Sequence, residues 1–140
     1  MFQRLIRALQ VRRADRVARG LVVPLRRCLA PFKDEAGEMS SDIRDDDFVL
    51  TYILGTVLGR LESSGKQADV EFAGLVLRQT LEHLFGQGQE RAELAATLAR
   101  RGDADFNYAA GLGYADVRDF AKSHTVYPTG LIEHLRVYGA

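Results

Sequence analysis

Tryptophan is absent from this chain, cysteine occurs once, at Cys28, and proline three times, at Pro24, Pro31 and Pro128. One cysteine excludes an intrachain disulfide and a cysteine-built zinc finger, and it suits a reducing compartment, so a cytoplasmic location is expected. Cys28 itself reads as a buried, inert thiol, since a reactive one needs an activating base. Long apolar runs are missing too. The longest uncharged one, Phe48 to Gly59, has 12 residues, whereas a bilayer-spanning helix needs about 20. Arginines interrupt the apolar positions of the first 30 residues, so no secretory signal is expected. Their acid-poor surroundings match an organellar transit peptide in composition. Basic arms of bacterial proteins share that composition, and this second reading is adopted.

What is present fits one domain: 140 residues, 46% of them apolar and 27% charged, enough to bury a core without metal or disulfide. Net charge is zero, yet its distribution is lopsided. Residues 1–33 carry nine basic side chains against the single acid Asp15, a net of +8, while residues 34–140 carry 10 basic and 18 acidic ones, a net of −8. Such segregation implies that the basic segment faces an acidic surface.

Helical signals dominate. Phe2, Leu5, Ile6 and Leu9 share one face of a wheel advancing about 100° per residue. Farther along, Arg13 and Arg16 take over that face, while Val17 and Leu21 move around the wheel. The expectation is therefore a break near Gln10–Arg12 or a second half whose arginine stems snorkel, with Gly20 and Pro24 interrupting the helix and Pro31 marking its exit. The polar stretch that follows reads as a linker, 34–41, ahead of a bundle domain over 42–140. Ser41 or Asp42 is the expected cap of a central helix through Leu61, apolar nearly all round, with Asp45–Asp47 in its first turn. Thr51, Gly55 and Gly59 recur every fourth residue along it. They form a small-residue groove for a neighbouring helix, within the bundle or across a dimer. Further helices are expected at about 69–85, 89–101, 104–110, 115–123 and 129–138, bounded by glycine, serine or proline. The fold class is thus all-α: an antiparallel bundle of five to six helices with a basic helical N-terminal arm, 1–33.

Motifs that carry chemistry fail on inspection. The segment "DADFNYAAGLGY" begins like a calcium loop at Asp103, Asp105 and Asn107, but Tyr108 and Tyr114 occupy the positions that require Gly and Glu. Asp103 reads instead as a helix cap. None of His83, His124 and His134 has Glu three residues before it, as a di-iron bundle requires. The paired "LEHL" and "IEHL" are read as coincidence. Neither Gly86–Gln87–Gly88 nor Gly111–Leu112–Gly113 follows a strand, so neither is a phosphate loop. No cofactor or metal is expected. One spacing does survive. Residues 116–139, with Ala121, Val126 and Leu131 five apart, resemble bacterial helix-turn-helix DNA-binding units. That resemblance would put Lys122 and Arg136 on DNA. Departures are Thr125 where glycine is common and the acids Asp116, Asp119 and Glu133, which repel phosphate; two packed helices at a bundle's end is the preferred reading.

The functional expectation is a non-enzymatic binding or adaptor module. Its partner-binding residues are Arg4, Arg7, Arg12, Arg13, Arg16 and Arg19, with Phe2, Leu5, Ile6 and Leu9 as apolar anchors. An acidic protein surface comes first as partner: the chain's own body, a second copy or another protein. An anionic membrane, with peripheral location at the inner membrane surface, comes second. Nucleic acid comes third, because one aromatic, Phe2, offers little stacking. Two alternatives stand beside this: DNA binding through 116–139, and a small helical enzyme built on a histidine and a carboxylate.

Overall fold

A computed structural model describes residues 2–65, 69–123 and 128–139. They form an all-helical, bundle-like fold: α1 (Phe2–Leu29), α2 (Ser41–Arg44), α3 (Asp47–Ser63), α4 (Val70–Phe85), α5 (Gly88–Arg101), α6 (Ala104–Ser123) and α7 (Thr129–Gly139), with a single 3-10 turn after α1. Among the described residues the only β pairing is an isolated bridge between Lys33 and Met39.

The core is organised by α3, which packs chiefly on α6, while α1 lies against α4 and α4 against α5. Val49, Leu50, Tyr52, Ile53 and Val57 of α3 are all fully buried, which explains why its sequence is apolar around its whole circumference. Its N-cap is Asp46, whose Oδ1 accepts from the amides of Phe48 and Val49. The expected cap at Ser41 or Asp42 belongs to a separate short helix, α2, whose own cap is Ser40. Two adjacent N-terminal signals were merged into one by reading the acidic run as a single first turn.

Two further expectations are corrected. First, α1 is continuous through Gly20 and Pro24. The hydrogen bond that Pro24 cannot donate is the one to Gly20, four residues back, and Gly20 is exposed, so water can satisfy that carbonyl. Second, α6 runs unbroken through Gly111 and Gly113, where two helices with a Gly-Leu-Gly turn were expected. The core also draws on α1, through Ala14, Leu21, Val22, Leu25 and Leu29. The stretch read as a linker contributes as well, through Met39, 8% exposed.

The glycines of α3 and α6 explain the closeness of that pair. A methyl group at Gly55 would lie 2.9 Å from the Ala110 Cα and nearer still to its carbonyl, and one at Gly59 would lie 2.7 Å from the Tyr114 carbonyl oxygen. From the other side, a methyl at Gly113 would lie 3.0 Å from the Thr56 nitrogen. Gly111, two residues earlier, has nothing within 4 Å. Thr51, the first member of the expected groove, is 2% exposed.

Candidate docking face on the first helix

Helix α1 has two apolar stripes, and they lie on opposite sides. Ala14, Ala18, Leu21, Val22, Leu25 and Leu29 are buried against the body. Phe2, Leu5, Ile6 and Leu9 are 79, 60, 47 and 46% exposed. On a wheel advancing about 100° per residue the two stripes are centred roughly 160° apart. Residues 2–9 are all exposed; at about 1.5 Å per residue they make roughly 12 Å of uncovered helix. These four anchors therefore do not pack on the chain's own body.

The arginines extend the outward side. Arg13 and Arg16 fall on the same face as Phe2, Leu5, Ile6 and Leu9, one and two turns further on, and Arg4 and Arg7 fall on the opposite side of the tip. Arg4, Arg7, Arg12, Arg13, Arg16 and Arg19 are all exposed. Among the described residues only Arg19 of these six forms an ion pair, with Asp15 at 2.8 Å. The other five are exposed and form no ion pair among the described residues.

Asp15, the single acid of the segment, is fully engaged. Its Oδ1 lies 2.7 Å from the His83 Nε2 of α4, and its Oδ2 accepts from the Arg19 Nε. The hydrogen bond from His83 holds its carboxyl below the ordinary value; partial burial works against this, and the charges of Arg19 and His83 add to it. Arg26 donates to the His83 carbonyl at 3.3 Å, so α1 is tied to the C-terminal part of α4 by polar as well as apolar contacts.

The other histidines sort differently. His134 stacks on Phe48, ring centroids 3.9 Å apart, and its Nε2 lies 3.2 Å from Oδ2 of Asp46, the α3 cap. His124 lies outside the described residues, as do the rest of 124–127 and the Lys122 side chain, so the helix-turn-helix expectation falls largely there. Arg136 is exposed. Asp116 is turned inward: its Oδ2 accepts from the Tyr52 hydroxyl at 2.6 Å and from the Gly130 amide at 2.7 Å. It thereby ties α3, α6 and the start of α7 together.

Two features had no place in the sequence reading. Arg91, 7% exposed, donates to Asp45 Oδ1 and to the Arg44 carbonyl, both at 2.8 Å, and to the Gly86 carbonyl at 3.2 Å. It clasps α5 to the chain that leads into α3. Nothing in the local pattern distinguishes it from any exposed arginine. The second is an open groove of about 450 Å³ between α3, α5 and α6, lined by Asp47, Asp103, Asp105, Phe106, Tyr108 and Arg101 among others. Asp103 stands just before α6, its carbonyl accepting from the Asn107 amide. Among the described residues no three His, Cys, Asp or Glu side chains converge as metal ligands would, and no helix is long and apolar enough to cross a membrane. Comparison of the chain with protein-family models, with curated proteins and with solved structures gives no match.

Proposed function

We propose that this protein is a non-enzymatic docking module that engages an anionic surface through the outward face of α1. The observation that carries the reading is the opposition of the two apolar stripes on one helix. The inner stripe anchors α1 in the core, and the outer one, continued by the unpaired Arg12, Arg13 and Arg16, is left for something outside the chain. Leaving Phe2, Leu5, Ile6 and Leu9 in water forgoes the stabilisation that burial would bring, and clustering arginines adds self-repulsion. A partner that is both anionic and apolar offsets both costs. The histidine–carboxylate pairs support the non-enzymatic side: His83–Asp15 bridges two helices and His134–Asp46 joins a helix cap, each a structural tie.

The test uses the net neutrality of the chain. At neutral pH the protein is expected to be retained on a sulfonate cation exchanger, because the positive charge is concentrated on one end. Replacing Arg12, Arg13 and Arg16 with Gln should abolish retention. Replacing Arg60, Arg100 and Arg101, elsewhere on the molecule, should reduce it only slightly. Equal loss in the two triple variants would overturn the reading, since retention would then follow total charge rather than this face.

A further inference from the structure

The docking reading leaves the partner's class open, and the layout of α1 narrows it. At the tip, Phe2, Leu5, Ile6 and Leu9 span an arc of about 100°, with Arg4 and Arg7 on the far side. That is the pattern of a helix lying in a membrane interface. Beyond Leu9 the outward face changes to Arg13 and Arg16, flanked by Arg12 and Arg19. Apolar insertion and phosphate contact are thus offered in sequence along one helix. The core-packing stripe is roughly opposite, so the body stands clear of a flat surface laid against this face.

Protein occupants fit less well. Two copies pairing tip to tip would bring the arginines of both together with no acid to separate them, Asp15 being held by His83 and Arg19. The acidic groove of a second copy between α3, α5 and α6 has Arg101 on its wall, facing an incoming basic helix with like charge.

Resting on the docking reading, we infer that the occupant is a bilayer rich in anionic phospholipid. The first three turns of α1 enter it obliquely, and Arg12, Arg13, Arg16 and Arg19 lie along its phosphate layer.

The absence of tryptophan supplies the probe. A Phe2→Trp chain, with the exposed Val70→Trp as control, is mixed with vesicles of phosphatidylcholine alone or of phosphatidylcholine and phosphatidylglycerol in equal parts. Emission of Phe2→Trp should shift to the blue only with the anionic vesicles, while Val70→Trp stays unchanged. In flotation, Leu5→Ser with Leu9→Ser should weaken partition by about tenfold or more. Arg13→Gln with Arg16→Gln should weaken it by about thirtyfold, and raising salt from about 0.05 to about 0.5 M should weaken the parent. These side chains are exposed, so an unchanged circular dichroism spectrum is expected for each variant.

Flotation without a blue shift of Phe2→Trp would overturn insertion, and equal flotation on both vesicle types would overturn the anionic requirement. No flotation, with salt-sensitive oligomers that disappear in the Leu5→Ser, Leu9→Ser chain, would assign the face to a second copy instead. No flotation with cation-exchange retention intact would remove the bilayer and leave the docking reading standing. Loss of both would remove both.

Discussion

Replacing Gly113 with alanine and replacing Gly111 with alanine should change stability in opposite directions, although the residues are two apart in one helix. Both substitutions raise intrinsic helix propensity by up to about 1 kcal/mol. At Gly111 nothing lies within 4 Å of the new methyl group, so that gain stands and the variant should be more stable by about 0.5–1 kcal/mol. At Gly113 the methyl would lie 3.0 Å from the Thr56 nitrogen, 3.1 Å from the Tyr52 carbonyl carbon and closer still to its oxygen. Ordinary carbon contacts are about 3.5–4.0 Å. The obstacle is α3 backbone, which has no rotamer to change, so the helices must separate. Overpacking of this kind costs about 1–3 kcal/mol, and a rigid obstacle puts it at the upper end. Less the propensity gain, a net loss of about 2 kcal/mol is expected at Gly113. For a chain of this size that is a drop of roughly 8 °C in Tm. Urea melts followed by circular dichroism would measure both variants. If Gly113→Ala matched or exceeded Gly111→Ala in midpoint, the close approach of α3 and α6 would be wrong.

Other expectations follow from single contacts. Gly55→Ala, at the reciprocal position on α3, should be destabilising by about 2 kcal/mol in the same melts; Gly74→Ala, exposed on α4 with nothing within 4 Å, should not destabilise. Asp15 titrates below its ordinary value in the folded chain because His83 hydrogen-bonds its charged form. The unfolded chain then takes up the proton first, so this stabilisation is full at neutral pH and fades as pH falls below about 3.8; Asp15→Asn should flatten that part of the acid-stability curve, and an unchanged curve would show that the pair contributes nothing. Burial pushes the Cys28 thiol up to about 11, so native protein should react with iodoacetamide at pH 8 far more slowly than urea-unfolded protein. Tyr52→Phe removes the buried donor to Asp116 and should cost about 2 kcal/mol, read from urea midpoints.

Local chemistry was legible from the residues alone. Helical class, the extents of α4 and α5 to within a residue or so, and the burial of α3 all follow from periodicity and end signals: Asp69 caps α4, Gly86 ends it and Gly102 ends α5. These depend on neighbours a few positions away, which a sequence displays directly. The small residues Thr51, Gly55 and Gly59 pointed to a close contact for the same reason. What lay across that contact did not show, because it depends on Ala110 and Tyr114, more than fifty residues on.

Gly111 and Gly113 misled because each carries the same local signal as a turn. Only the approach of α3 shows that one of them is required for packing and the helix continues through both. Likewise, Gly20 and Pro24 read as breakers until the fold places Gly20, whose carbonyl loses its donor to Pro24, on the solvent side of α1, where an unmade hydrogen bond is inexpensive. The partners of Tyr52, Arg91 and His83 were invisible because a hydrogen-bond partner 46 to 68 residues away leaves no periodic trace. Above all, the wheel showed that Phe2, Leu5, Ile6 and Leu9 share a face and that arginines then take it over. Which face the body covers was decided by the packing of Ala14, Ala18, Leu21 and Leu25 on α4. A stripe on a wheel has no inside until another element is placed against it.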